Sequence, residues 1–63
     1  MRERIADYTD GMSKFTVYHN DRTGYYEAQH EYSKHSKPTI YSMDFRRMEY
    51  EMAKRGFTKV HGE

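Results

Sequence analysis

From Lys14 to His19 the chain alternates, with Phe15 and Val17 on one side and Thr16 and Tyr18 on the other. A period of two marks a half-buried strand. Asn20-Asp21-Arg22-Thr23-Gly24 then reads as a hairpin loop, because Asn and Asp favour the opening of a type I turn and Gly24 suits a left-handed position before the next strand. The run Tyr25 to Tyr32 alternates again. Tyr26, Ala28, His30 and Tyr32 are expected to pack, while Tyr25, Glu27, Gln29 and Glu31 are expected to face water.

Ser33 to Pro38 is polar and closed by a proline, which predicts a second, mobile loop, and Thr39-Ile40-Tyr41 is a short β-rich piece that suits a third strand. Ser42 is the expected N-cap of a helix, with Asp44 in its first turn where a carboxylate complements the helix dipole. Good helix formers run from Met43 to Arg55, and Phe45, Met48, Met52 and neighbouring Ala53 line one face. Gly56 follows as the C′ residue, Phe57 is placed to fold back over Met52, and Lys54 and Arg55 complement the negative end of the dipole. Phe57 to His61 has the length and β-branching of a final strand.

At the N-terminus Met1, Ile5, Tyr8 and Met12 recur at spacings of four, three and four, one stripe of a helix that Gly11 would end. So short a helix is unstable alone, so residues 1–13 are expected to be flexible or to form a short docked helix. The fold class predicted is α+β: one small two-layer domain over residues 14–63. An antiparallel hairpin, or a sheet of three to four strands, packs against a single helix at about residues 43–55.

Composition narrows this picture. Sixty-three residues make one small domain, and at that size only about 60% of the unfolded surface is buried, which leaves little room for an enclosed substrate cavity. Leu is absent, and Ile, Val and Phe together supply only seven residues, below the ~20% that warns of disorder. The net charge of +1 removes the other half of that warning, and seven Tyr and five Met add apolar area. A thin core of aromatics and Met is expected, and association of two copies to hide more surface stays open. With no Cys there is no disulfide, thiolate zinc site or cysteine nucleophile, so a cytoplasmic setting is the default. The charged start Met1-Arg2-Glu3-Arg4 lacks the apolar stretch of a signal peptide, and no run approaches the ~20 apolar residues of a membrane span, so no membrane partner is expected.

Four His sit among many carboxylates, yet His30 and His35 are five apart, which matches neither the helical nor the strand spacing of paired ligands. No metal or other cofactor is expected, and the His residues read as edge-of-core or surface side chains. There is no Gly-x-Ser-x-Gly elbow, phosphate loop or His-Glu-x-x-His motif, and Ser13, Ser33, Ser36 and Ser42 fall where loops and caps need Ser. The chain is therefore not read as an enzyme. Arg46, Tyr50 and Lys54 recur every four residues on the outer helix face with Arg47 alongside, and Tyr18 and Tyr25 lie on the solvent side of the hairpin. That pattern suits phosphates and stacked bases, although Arg47, Glu51 and Arg55 also form a self-satisfying ladder. Tyr, Arg and Met are enriched at protein interfaces, and this chain has seven, six and five of them. Some of Tyr8, Tyr18, Tyr25, Tyr41 and Tyr50 must then be exposed. The leading expectation is a non-enzymatic protein-interaction module using Tyr18, Tyr25, Arg46, Arg47, Tyr50 and Lys54. The alternative is a small nucleic-acid-binding domain using the basic helix face.

The stretch from Phe15 through Gly24, with the following strand and the helix ending Ala53-Lys54-Arg55-Gly56-Phe57-Thr58-Lys59-Val60, roughly residues 14–61 in all, resembles in style the small accessory proteins of tailed bacteriophages. The resemblance implies a protein that inhibits or redirects a bacterial host protein in the host cytoplasm. Strands preceding a helix are also similar to the arm-type DNA-binding domains of phage integrases. Those place basic and polar residues on the exposed sheet face, where this chain has Glu27, Gln29 and Glu31 on its second strand.

Overall fold

In the computed structural model, which describes residues 2–31 and 40–62, the chain runs β1 (Arg2–Thr9), β2 (Lys14–Asn20), β3 (Tyr26–His30), β4 (Ile40–Ser42), α1 (Phe45–Lys54) and β5 (Thr58–Gly62). Among the described residues the strands form one antiparallel sheet in the order β4-β3-β2-β1-β5. One face carries α1. Met48 and Met52 are fully buried there with Ala6, Tyr8, Phe15, Val17, Ala28 and Ile40, while Ile5, Tyr26, Phe45 and Phe57 pack around them. This is the expected α+β domain with its Met and aromatic core.

The N-terminal segment differs from expectation. Residues 2–9 are neither flexible nor helical but form β1, an interior strand between β2 and β5. The cause is a bulge. Arg4 pairs with Tyr18 but Ala6 pairs with Val17, so Ile5 is an extra residue on β1. The extra residue shifts the phase of alternation. Ile5 and Tyr8 therefore both reach the core at an odd spacing, which imitates a helical stripe. Gly11 belongs to the turn that follows: Asp10 Oδ1 accepts from the Met12 and Ser13 N–H groups at 2.9 Å each, and Thr9 Oγ1 donates to the Ser13 carbonyl at 2.7 Å.

The hairpin between β2 and β3 is the expected one, closed by Gly24 N–H to the Asn20 carbonyl at 2.7 Å and Asn20 N–H to the Tyr25 carbonyl at 2.9 Å. The helix begins later than expected. Asp44, not Ser42, is the N-cap, and its Oδ1 accepts from the Arg46 N–H at 2.9 Å. Ser42 cannot take that role because it is the last residue of β4, paired with Tyr26; instead its Oγ accepts from the Asp44 N–H at 3.2 Å and shapes the strand-to-helix turn. At the other end the expected stop is present: Gly56 N–H donates to the Ala53 carbonyl at 3.0 Å and Phe57 N–H to the Met52 carbonyl at 2.9 Å. Gly56 holds φ +81°, a conformation costly for any residue with a Cβ.

β5 closes the sheet against β1, with a second bulge at Val60 between the pairs Tyr8↔Lys59 and Asp7↔His61. Gly62 lies opposite Ala6 at φ +109°, where a Cβ would collide with the Ile5 carbonyl oxygen, so the two irregular points of β1 and β5 fit against each other only through a glycine. The expected loop at Ser33 to Pro38, together with Tyr32, His35 and Thr39, lies outside the described residues.

Candidate functional site

Residues directly opposite one another across a ladder share a sheet face. Since Phe15 and Val17 face α1, Thr16 and Tyr18 face away from it. The register then lays Arg4, Tyr18, Glu27 and Tyr41 in one row across β1, β2, β3 and β4, with Asp7, Thr16 and Gln29 in the next row. This face is open to one side, yet Asp7, Glu27 and Gln29 on it are only 5%, 7% and 5% exposed. Glu27 and Gln29 were expected to be wet, and they are not.

The reason lies in the arginines of β1. Arg2 reaches across β2, its guanidinium 4.1 Å from the Tyr18 ring centroid, and its Nε lies 3.1 Å from Glu27 Oε1. Asn20 Nδ2 donates to the other Glu27 oxygen at 3.3 Å. Arg4 pairs with Asp7, whose second oxygen accepts from Thr16 Oγ1 at 3.0 Å. The face is thus tiered, with carboxylates beneath and guanidinium and phenol groups above, and Arg2 and Arg4 are each paired with a carboxylate on it. Beyond it, Tyr25 meets Tyr41 edge to face at 6.1 Å, and both rings are exposed.

Burial by itself would push the Asp7 carboxyl up, but hydrogen bonds from Arg4 and Thr16 and the charges of Arg4 and Lys14 outweigh it and hold it below the ordinary range. A depressed folded value stabilises the fold above the ordinary carboxylate range and is lost as pH falls through the folded value. Asp7→Asn is accordingly expected to lower stability at neutral pH, by about 1–2 kcal/mol, and to flatten the acid limb of stability against pH. Urea unfolding at several pH values checks both.

The second group of candidate residues lies on the helix face turned away from Met48 and Met52. Arg46, Arg47, Tyr50 and Lys54 are all exposed there. The Arg47 guanidinium is 5.5 Å from the Tyr50 ring centroid, and Glu51 takes Arg47 at 3.4 Å and Arg55 at 2.6 Å, the expected ladder. Glu49 pairs with Lys59 of β5 at 2.8 Å. Arg46 and Lys54 form no ion pair with a carboxylate among the described residues. Because α1 covers one sheet face and Tyr18 lies on the other, the structure does not join Tyr18 to the helix stripe. Tyr18 groups instead with Arg2, Arg4 and Tyr41, and Tyr25 extends that group at the hairpin.

Of the tyrosines considered for exposure, Tyr8 is buried and Tyr18 is half-buried beneath Arg2. Arg2 and Arg4 were not singled out from the sequence; the signal for them was their alternation with Glu3, hidden by the bulge at Ile5. His30 packs edge-on against Phe15 at 5.0 Å, His19 lies tilted against Tyr26 at 4.6 Å, and among the described residues no three His, Asp or Glu side chains gather as a metal site. No protein-family model matches the chain, and no curated protein or solved structure matches it.

Proposed function

We propose that this chain is a non-enzymatic protein-interaction module that binds a bacterial protein through exposed Tyr and Arg side chains, acting as the phage-type inhibitor or modulator that its style of sequence implies. The observation that carries the reading is the pairing of Arg with Tyr on both sides of the molecule. Arg2 is stacked on Tyr18 and Arg47 lies over Tyr50. Side chains held in place before contact lose less conformational freedom on binding, and Tyr and Arg are the types that most often anchor protein interfaces.

A nucleic-acid reading is supported by Arg46 and Lys54, which carry charge on the helix face with no described carboxylate opposite them. The open sheet face does not support it, since Glu27 and Asp7 neutralise Arg2 and Arg4 there. Salt separates the readings: binding through several phosphates falls steeply as salt rises, and an aromatic-anchored protein interface weakens far less.

The experiment is a pulldown with the tagged chain from bacterial lysate, with and without nuclease. One stoichiometric protein that survives nuclease is the expected result, and recovery of nucleic acid lost on digestion would put the alternative first. Arg46→Ala with Tyr50→Ala should leave the melting temperature nearly unchanged, each surface change costing no more than about 0.5 kcal/mol, while weakening capture. Undiminished capture would remove the helix face from the interface and leave the side bearing Tyr18 and Tyr25.

A further inference from the structure

The outer stripe of α1 has a charge imbalance that its own neighbours create. Both helix carboxylates are already committed, Glu49 to Lys59 at 2.8 Å and Glu51 to Arg55 at 2.6 Å and Arg47 at 3.4 Å. Arg46 and Lys54 form no ion pair among the described residues, although the Lys54 charge is felt at Glu51, and Tyr50 stands between them, 57% exposed. At 1.5 Å rise per residue their Cα atoms are about 12 Å apart along the helix axis. The stripe therefore presents cation, aromatic ring and cation in line, with the Arg47 guanidinium 5.5 Å from the ring centroid.

Resting on the interaction reading above, we infer that this stripe receives an acidic segment of the partner protein: a carboxylate at Arg46, another at Lys54, and an apolar or aromatic side chain against Tyr50. A spacing of about 12 Å corresponds to roughly four residues of extended chain or eight of helix. Carboxylates so placed meet, at each end, a cation that forms no ion pair among the described residues, which gives complementarity and register. A duplex is the poorer fit. It gains affinity by neutralising many closely spaced phosphates, and this stripe offers few free cations, with Glu49 and Glu51 beside them.

The test is a nitrogen–proton NMR titration of the full chain with a synthetic peptide carrying paired Glu on either side of a Phe. The same peptide with every Glu changed to Gln, and a short DNA duplex, serve as comparison probes. The expected result is that the Glu peptide shifts the signals of Arg46, Tyr50 and Lys54, that the Gln peptide does not, and that Arg46→Glu with Lys54→Glu weakens binding about tenfold or more with the sheet signals unmoved. Equal response to the Gln peptide, shifts confined to the sheet, or tighter binding of the duplex with a steep salt dependence would each overturn it. If a captured partner is held as tightly by the doubly reversed variant, this inference falls while the interaction reading stands. If no protein is captured at all, the interaction reading itself falls.

Discussion

Met52→Ala is expected to cost about 2–5 kcal/mol, the range for truncating a fully buried Met, Leu or Ile. Met52 has no exposed surface and sits with Met48 between the helix and the strands bearing Ala6, Phe15, Val17 and Ala28. A chain of this length has about 3–9 kcal/mol of total stability at the usual yield per residue, so the variant should be largely unfolded or should melt many degrees lower. Met52→Leu, which nearly conserves volume, should lose less than about 1.5 kcal/mol, and circular dichroism melts distinguish the pair. Phe45→Ala should cost less than Met52→Ala, since Phe45 is half-buried and shares its ring between Tyr26 at 5.4 Å and the Lys59 ammonium at 5.2 Å.

Tyr8 is expected to give opposite results with its two simplest replacements. The ring is 3% exposed and belongs to the core, so Tyr8→Ala should cost about 3–5 kcal/mol, comparable to losing a buried Phe. The hydroxyl is another matter, since it is buried and has no hydrogen-bond partner among the described residues. An unsatisfied buried polar group costs about 1–3 kcal/mol, so Tyr8→Phe should raise stability by about 1 kcal/mol. Burial, with a smaller contribution from the charge of Glu49, pushes the Tyr8 hydroxyl above the ordinary tyrosine range, up to about 12. The unfolded chain thus ionises first, and stability held below the unfolded value is lost as pH rises toward the folded one. Tyr8→Phe should remove that alkaline loss. A Tyr8→Phe variant that melts earlier than the parent at neutral pH would show that the hydroxyl is satisfied after all.

Much of the fold was legible because the local signals agreed. Phe15 and Val17 set the face of β2, Asn20 to Gly24 set the hairpin, and Gly56 with Phe57 set the helix stop. Each depends on residues close together in the chain. What was not legible depended on distant partners. β1 is a strand because β2 and β5 flank it, and the extra residue at Ile5 removed the alternation that would have revealed it. Glu27 looked like a solvent residue because its burial comes from Arg2, some 25 positions away in sequence and two strands across the sheet. The helix stripe was readable as a surface from its spacing. That it lies on the opposite side from Tyr18 needed the packing of α1 on the face bearing Phe15 and Val17.

The position of β1 between β2 and β5 bears on how the protein is made. The pairs from Ala6↔Gly62 to Thr9↔Thr58 join the two ends of the described chain, so they close the longest loops in the sheet and their pairing comes late. During synthesis the hairpin partners of β1 emerge early, but Thr58–Gly62 are still within the ribosome when Lys14–Asn20 are free. Until Thr58–Gly62 have emerged, Ala6–Thr9 presents an unpaired backbone edge to its surroundings, a surface that invites pairing with another nascent chain. A stalled ribosome holding the chain with a linker long enough to clear the exit tunnel should therefore display a closed sheet, and one with a shorter linker an open one.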